Sequence, residues 1–279
     1  MEQSLPPGLY IVATPIGNLG DMTSRAVSTL CRVDYILAED KRVTAKLLAH
    51  IGAKAPMMTY HDHSDARLRA KILADLGIKA VALVSDAGTP LISDPGYKLV
   101  RAARQAGHSI HTLPGPSAAI AALTLAGLPT DRFLFLGFLP SKTKARADAI
   151  AEISSVRASL VLYESGPRLG EALAALAGGL GDRDAAVIRE ITKLHEECRS
   201  GTLRELASLY SDAPPKGEIV IVVGPPPERE AASDDELDRA LVIALRTMSP
   251  SRAAAEVAST LGTPRKRAYA RALELGGKD

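Results

Sequence analysis

The chain of 279 residues contains no tryptophan, only three phenylalanines and only two cysteines, and its formal net charge is +2. Each shortage excludes something. With so few aromatic rings the core must be aliphatic, and a binder of single-stranded RNA built on several exposed aromatic platforms is disfavoured. Cys31 and Cys198 have no CxxC spacing and are too few for a disulfide framework, so they are expected to be reduced thiols of a cytoplasmic protein. No run approaches the roughly 20 apolar residues that span a bilayer, and the segment MEQSLPPGLYIV shows no basic leader. Near-neutral charge means that any nucleic-acid affinity must come from local basic patches. GxxxxGK[ST], HExxH and GxSxG are also missing, which removes Walker-type nucleotide hydrolysis, zincin chemistry and the serine-hydrolase elbow. His61 and His63 form a candidate metal pair. Without further ligands nearby they read as polar surface, and no metal is expected.

What is present is a regular alternation. Short runs rich in Val, Ile and Leu (Leu9–Thr14, Tyr35–Ala38, Ala80–Val84, Ser109–Leu113) read as buried strands. Helical patterns lie between them at Arg25–Arg32, Thr44–His50, Asp65–Leu76, Tyr97–Ala106 and Ser117–Gly127, the last with Ser117 as its N-cap. This predicts an α/β fold with a mainly parallel sheet covered on both faces. The pattern restarts after Ala126–Arg132, with strands at Phe133–Gly137, Ser159–Tyr163, Ala185–Ile191 and Glu218–Val223, separated by helices near 143–155, 167–177 and 202–210. A second α/β domain therefore ends at the linker Gly224-Pro225-Pro226-Pro227. Helices at Asp235–Met248, Pro250–Leu261 and Arg265–Leu275 follow, the last two spaced like a helix-turn-helix. The expected domains are 1–128, 129–227 and 234–279. The last carries Arg265, Lys266, Arg267 and Arg271 on its final helix, which reads either as a solvated face or as a nucleic-acid contact.

Three loops follow strands at positions where an open α/β sheet places its ligands. The first runs from Ala13 to Asp21 (ATPIGNLGD). Its small residues permit close backbone approach, but Pro15 stands where a dinucleotide fingerprint has its first glycine. The second, Ser85–Gly96 (SDAGTPLISDPG), is far longer than a turn requires. Asp86 and Asp94 supply carboxylates for a ribose hydroxyl or an ammonium, and Gly88 and Gly96 permit close approach or positive φ. The third, Leu113–Ser117 (LPGPS), delivers a helix N-terminus to the same sheet edge.

Together these loops resemble the tetrapyrrole-methylase superfamily of S-adenosylmethionine enzymes. The chain looks like the branch that 2′-O-methylates a decoding-site cytidine of 16S rRNA. Nine collinear strings carry the resemblance: LYIVATPIGNLGD, AEDKR, SDAGTPLISDPG, LPGPSAAIAAL, GLPTDRF, FLGFLP, LVLYES, REITKLHEE and KGEIVIVV. It departs from the family at Lys41 of AEDKR, where AEDTR is common, and at Gly166-Pro167-Arg168, where YESPHR has a histidine. The resemblance implies two α/β domains with the methyl donor between them, a homodimer, and a C-terminal helix-turn-helix-like appendage. It implies cofactor contacts from Pro15, Gly17, Asp86, Ala87, Gly88, Asp94, Ser117, Ala118, Tyr163 and Ser165. RNA contacts are expected from Lys41, Arg42, Arg168, Arg265, Lys266 and Arg267, with 16S rRNA or the small ribosomal subunit as partner.

Methyl transfer from a sulfonium needs alignment of oxygen, carbon and sulfur, together with help in removing the hydroxyl proton. Proton-handling candidates are Glu39 and Asp40 in AEDKR, and Glu190, Lys193, His195, Glu196 and Glu197 in REITKLHEE. Lys193 and Glu190 lead. Lys193 would act either as a base with a lowered pKa or as a cation beside the developing alkoxide. A small-molecule methyltransferase acting on a tetrapyrrole and a non-catalytic RNA-binding factor are the alternatives. The basic C-terminal helices disfavour the first, and the intact loops disfavour the second.

Overall fold

The computed structural model describes residues 4–62, 64–227 and 232–276; His63 lies outside them. The chain forms two compact units, residues 1–226 and 227–279.

The larger unit holds two five-stranded sheets. The first contains β1 (Gly8–Val12), β2 (Tyr35–Ala38), β3 (Met57–Thr59), β4 (Ala80–Leu83) and β5 (Ile110–Leu113), in the order β3-β2-β4-β1-β5 and parallel throughout. Continuous apolar runs in β2 and β4 fit strands buried on both faces. Alternate residues divide between two cores. Tyr10, Val12, Ile36 and Ala82 meet α1 (Ser24–Leu30) and α2 (Lys41–Ile51). Leu9, Leu37, Val81 and Leu83 meet α3 (Ala66–Leu76) and α4 (Tyr97–Gln105) on the opposite face. Side-chain caps from Thr23, Asp40 and Asp65 start the first three helices.

The second sheet contains β6 (Phe133–Phe138), β7 (Ser159–Ser165), β8 (Asp184–Arg189), β9 (Glu197–Thr202) and β10 (Glu218–Val223), in the order β6-β7-β10-β8-β9. The parallel arrangement expected and found in the first half does not recur here. Only β6 and β7 run parallel; the other pairs are antiparallel. The polar strand β9 and the three-residue strand β3 are both additions to the sequence reading. Each is an edge strand without an apolar alternation that would announce it. The helices α6 (Thr143–Ile153), α7 (Leu169–Leu180) and α8 (Leu203–Leu209) pack one face of this sheet through Ile150, Leu173 and Leu206.

The other face is covered by α5 (Ala118–Leu125), which follows β5 of the first sheet. Ala119, Ala122, Leu123 and Ala126 pack on Val161, Ala186, Ile188, Val220 and Val222. The first half of the chain thus supplies the second sheet with its missing layer, and the N-terminus of α5 lies where the two halves face each other.

The smaller unit is a bundle of α9 (Asp234–Leu245), α10 (Pro250–Leu261) and α11 (Arg265–Gly276) around Leu237, Leu241, Ala254, Val257 and Ala268. Ser233 and Glu236 form a capping box at the start of α9, and Gly262 ends α10 in a left-handed conformation. Among the described residues, no helix is long and apolar enough to cross a membrane.

Candidate active site

In the first sheet β1 and β4 are neighbours, yet the helix after β1 covers one face and the helix after β4 the other. Such a reversal opens a crevice at the carboxyl ends of the strands, where α/β sheets bind ligands. Thr14 and Gly88 pin the two loops beside it, with reciprocal backbone hydrogen bonds of 2.8 and 3.0 Å. The Thr89 hydroxyl donates to the Pro116 carbonyl at 3.0 Å and so ties in the third loop. The resulting cleft, about 350 Å³, is walled on one side by Ala87, Gly88, Asp94, Ser117 and Ala118, and on the other by Tyr163, Ser165, Ile191 and Glu218–Val220.

Backbone strain concentrates here. Among the described residues, the non-glycine positions with positive φ are Leu91 (75°), Ser93 (62°), Glu190 (52°) and Thr192 (66°). Two lie in the Ser85–Gly96 loop and two in the loop between β8 and β9. Residues held in sparsely populated conformations gather at sites where function requires the shape. Gly88 and Gly96 also adopt positive φ, as their loop suggested.

Seven of the expected cofactor contacts line the cleft: Ala87, Gly88, Asp94, Ser117, Ala118, Tyr163 and Ser165. Asp94 has its pKa pushed up to about 6. Burial is the main cause, a hydrogen bond from Ser85 opposes it, and the nearby Glu39 and Asp86 add to it. The Ser117 side chain makes no cap bond, so the first turn of α5 turns to other partners, the Tyr163 hydroxyl among them. Burial raises the Tyr163 hydroxyl, partly offset by a backbone hydrogen bond from Ala119. The Ser165 hydroxyl donates to Glu164 Oε1 at 3.3 Å.

Asp86, Pro15 and Gly17 stand outside this lining. Asp86 is exposed and accepts the Asp40 backbone N–H at 3.0 Å, which joins the loops after β2 and β4. Pro15 and Gly17 flank Ile16, which does line the cleft. Gly17 is needed for a different close approach from the one expected. A Cβ there would lie 2.5 Å from Lys193 Cγ and 2.9 Å from the Ile191 carbonyl. Its bare backbone lets the first loop press against the loop after β8.

Lys193 and Glu190 are not among the residues that line the cleft; they reach it through Glu218, which does. Lys193 Nζ donates to Glu190 Oε1 and to Glu218 Oε2, each at 3.0 Å, and Glu190 Oε1 also accepts the Glu218 backbone N–H at 3.1 Å. Burial alone would lower the Lys193 pKa, but the two carboxylates outweigh it and the net shift is upward. The two carboxylates therefore favour Lys193 as a held ammonium over the alternative of a base with a lowered pKa. Glu190 is pulled below the usual carboxylate range, chiefly by Lys193, so it is a weak base.

The other proton-handling candidates are dispersed. Glu196 accepts the Thr192 N–H at 2.6 Å, and Glu197 pairs with Arg189 and Arg199 along the β8–β9 hairpin. His195 is exposed. Asp40 caps α2 and binds Arg42, which brings its carboxyl down to about 2. Glu39 is raised by burial and by Asp86, with His61 opposing.

The basic residues divide into free and committed. Lys41 is exposed at the start of α2, while Arg42 is bonded to Asp40 at 2.6 Å. Arg168 donates to the Leu139 carbonyl at 2.7 Å and lies 3.4 Å from Glu164, so it braces the backbone beside the cleft. In the smaller unit, Arg265 and Lys266 border a shallow groove with Ser251 and Tyr269. Arg267 instead bonds Asp234 and the Ala232 carbonyl. Among the described residues no group of three or more His, Cys, Asp or Glu is arranged to hold a metal. The sequence reading overlooked Ile16, Phe138, Ile191 and Glu218 as cleft residues. All four lie within quoted motifs, but only the fold shows which of their residues face the cleft.

Comparison with known proteins fits this geometry. Residues 8–207 match the model of the Tetrapyrrole (Corrin/Porphyrin) Methylases, and residues 231–276 match the RsmI C-terminal HTH domain. A relative from Erythrobacter litoralis named ribosomal RNA small subunit methyltransferase I is 58% identical, covering 98% of this chain and 97% of its own. One of the same name from Mesorhizobium japonicum is 47% identical, covering 97% and 93%. Among solved structures, diphthine synthase is similar with a TM-score of 0.60 at 16% identity, covering 77% of this chain and 89% of its own. Uroporphyrin-III-C-methyltransferase from Thermus thermophilus gives 0.56 at 21%, covering 78% and 94%. At these identities the two structures show the fold alone.

Proposed function

The chain belongs to the tetrapyrrole (corrin/porphyrin) methylase family, and from that premise we propose that it methylates the ribose 2′-hydroxyl of a decoding-site cytidine in 16S rRNA, with S-adenosylmethionine as donor. The observation that carries the reading is the strained cleft between the two sheets, in a chain that matches named rRNA methyltransferases over nearly its whole length.

The residues present fit the donor. Ile16, Ile191 and Val220 offer an apolar wall for an adenine, and the N-terminus of α5 offers N–H groups for a carboxylate or ribose oxygen. Asp94 offers a carboxylate that gains from a cationic neighbour. When bound, the donor would supply an electrophilic sulfonium methyl to the ribose oxygen, its sulfur leaving as a neutral thioether and the hydroxyl proton passing to water. The chain's own part is to align the hydroxyl and to stabilise the charge it develops. Lys193, kept as an ammonium by Glu190 and Glu218, fits the second task as a preorganised cation. Glu190 serves by holding Lys193 in place.

RNA contact is assigned to Lys41, Arg42, Arg265 and Lys266. Arg42 keeps that role although it pairs with Asp40, because its side chain is 89% exposed, whereas the less exposed Arg168 and Arg267 are reassigned to bracing by their internal partners. The domain bounds 1–128, 129–227 and 234–279, a cytoplasmic location and a homodimer belong to the same proposal. The exposed Ile120 and Leu125 on α5 support the dimer.

The test is direct transfer. Purified protein with methyl-labelled S-adenosylmethionine should label 30S subunits from cells lacking the modification, at one cytidine ribose. Labelling of a tetrapyrrole instead, or of no RNA at all, would refute the reading.

A further inference from the structure

Phe138 is 56% exposed although it lines the cleft, in a chain with three phenylalanines and no tryptophan. A bulge puts it there. Along β6, Phe135 pairs with Val161 and Phe138 with Tyr163, which leaves Leu136 as an extra residue. Side chains alternate across a strand, so without that insertion Phe138 would face the α6–α7 core together with Leu134 and Leu136. With it, Phe138 joins Phe135 on the cleft face. Both rings meet Tyr163 edge-on, at 5.0 Å from Phe135 and 5.7 Å from Phe138.

The bulge is held from both sides. Gly137 takes φ 64°, and a Cβ on it would lie 3.0 Å from Ser93 Oγ of the facing loop. Leu139, the residue after Phe138, has its carbonyl fixed by Arg168, itself paired with the buried Glu164. A bulge, a left-handed glycine and a partly buried ion pair therefore hold one aromatic ring with much of its surface in open cleft. Bulges near active sites re-aim side chains. A planar π-surface is suited to a planar ligand.

We propose that Phe138 is the platform on which the nucleobase of the acceptor nucleotide stacks. The proposal rests on the RNA substrate assigned above. The donor's adenine is the other planar candidate, but Ile16 with the buried Ile191 and Val220 provides the more enclosed wall, the one assigned to it above. Stacking uses a face that every base possesses, so Phe138 holds the base without selecting which base it is.

The test uses the full chain and unmethylated 30S subunits. Phe138→Ala should lower kcat/KM for the subunit by about 5- to 150-fold, the range for loss of one base–aromatic stack. Its affinity for S-adenosylmethionine alone should be unchanged. Phe138→Trp and Phe138→Tyr should retain activity, whereas Phe138→Leu, apolar but without a π-face, should resemble Phe138→Ala. Full activity in Phe138→Leu would overturn the proposal. So would weakened donor binding by Phe138→Ala without RNA, which would give the ring to the cofactor. If the wild-type protein binds the donor but methylates no subunit, the assigned function fails and this proposal with it. An active wild type with an unimpaired Phe138→Ala defeats this proposal alone.

Discussion

Asp94 carries an unusual carboxyl for a residue on a cleft wall, its pKa raised from 3.8 to about 6 mainly by burial. A carboxyl with a higher pKa folded than unfolded favours the fold while protonated. That contribution is complete below about 3.8 and is lost as pH rises through about 6. Asp94→Asn should therefore stabilise the unliganded protein at neutral pH, on the order of 1 kcal/mol after allowance for solvent screening. Denaturant titrations across this range should show the wild-type slope reduced in the variant; identical slopes would remove Asp94 as its source. A cationic donor favours the ionised carboxylate, so donor affinity should rise with pH through about 6 in the wild type and much less in the variant. Lys193 makes a separate prediction. Lys193→Met removes the held cation and should cut kcat by about 10²–10³-fold, as loss of a charge-stabilising donor does elsewhere. Donor affinity should hardly change, because Lys193 does not line the cleft. A parallel loss of donor binding would place Lys193 in the cofactor site instead.

Helix α5 shows how far element-level reading reached. Its bounds and its start at Ser117 were legible from Pro-Gly-Pro and the apolar run that follows. Its partner was not. The helix is apolar all round, so no stripe tells which sheet it covers, and chain order suggests the first sheet. Packing on the second makes α5 the piece shared by both halves of the cleft. Leu123→Ala should therefore cost about 2–5 kcal/mol in urea unfolding and also weaken donor binding. A stability loss with intact donor affinity would deny α5 its bridging role. The central strands β2 and β4 of the first sheet were readable because parallel strands buried on both faces are unbroken apolar runs. Strand β9 (ECRSGT) was not, because an edge strand needs no apolar face and earns its place by pairing with β8. The bulge at Leu136 was equally silent: Gly137 permits it, but the pairing of Phe138 with Tyr163 is decided by β7. The Lys193–Glu218 contact joins residues 25 apart, brought together by the β8–β10 pairing, and no local pattern announces it.

At the scale of the molecule, the smaller unit has a core of its own around Leu237, Leu241 and Ala254. Arg265 and Lys266 are its exposed cations beside Tyr269. Removing residues 234–279 should weaken binding to 30S subunits and leave donor affinity intact; equal loss of both would mean that the unit supports folding instead. The central claim is that the cleft of the larger unit modifies one ribose of the small subunit's RNA. Mapping 2′-O-methylation along 16S rRNA in a strain without this gene, and again after its return, tests that claim most directly. The account predicts that one decoding-site cytidine loses its methyl group and regains it with the wild-type gene but not with Lys193→Met. Full methylation of that cytidine in the deletion strain, with no second enzyme acting there, would contradict it.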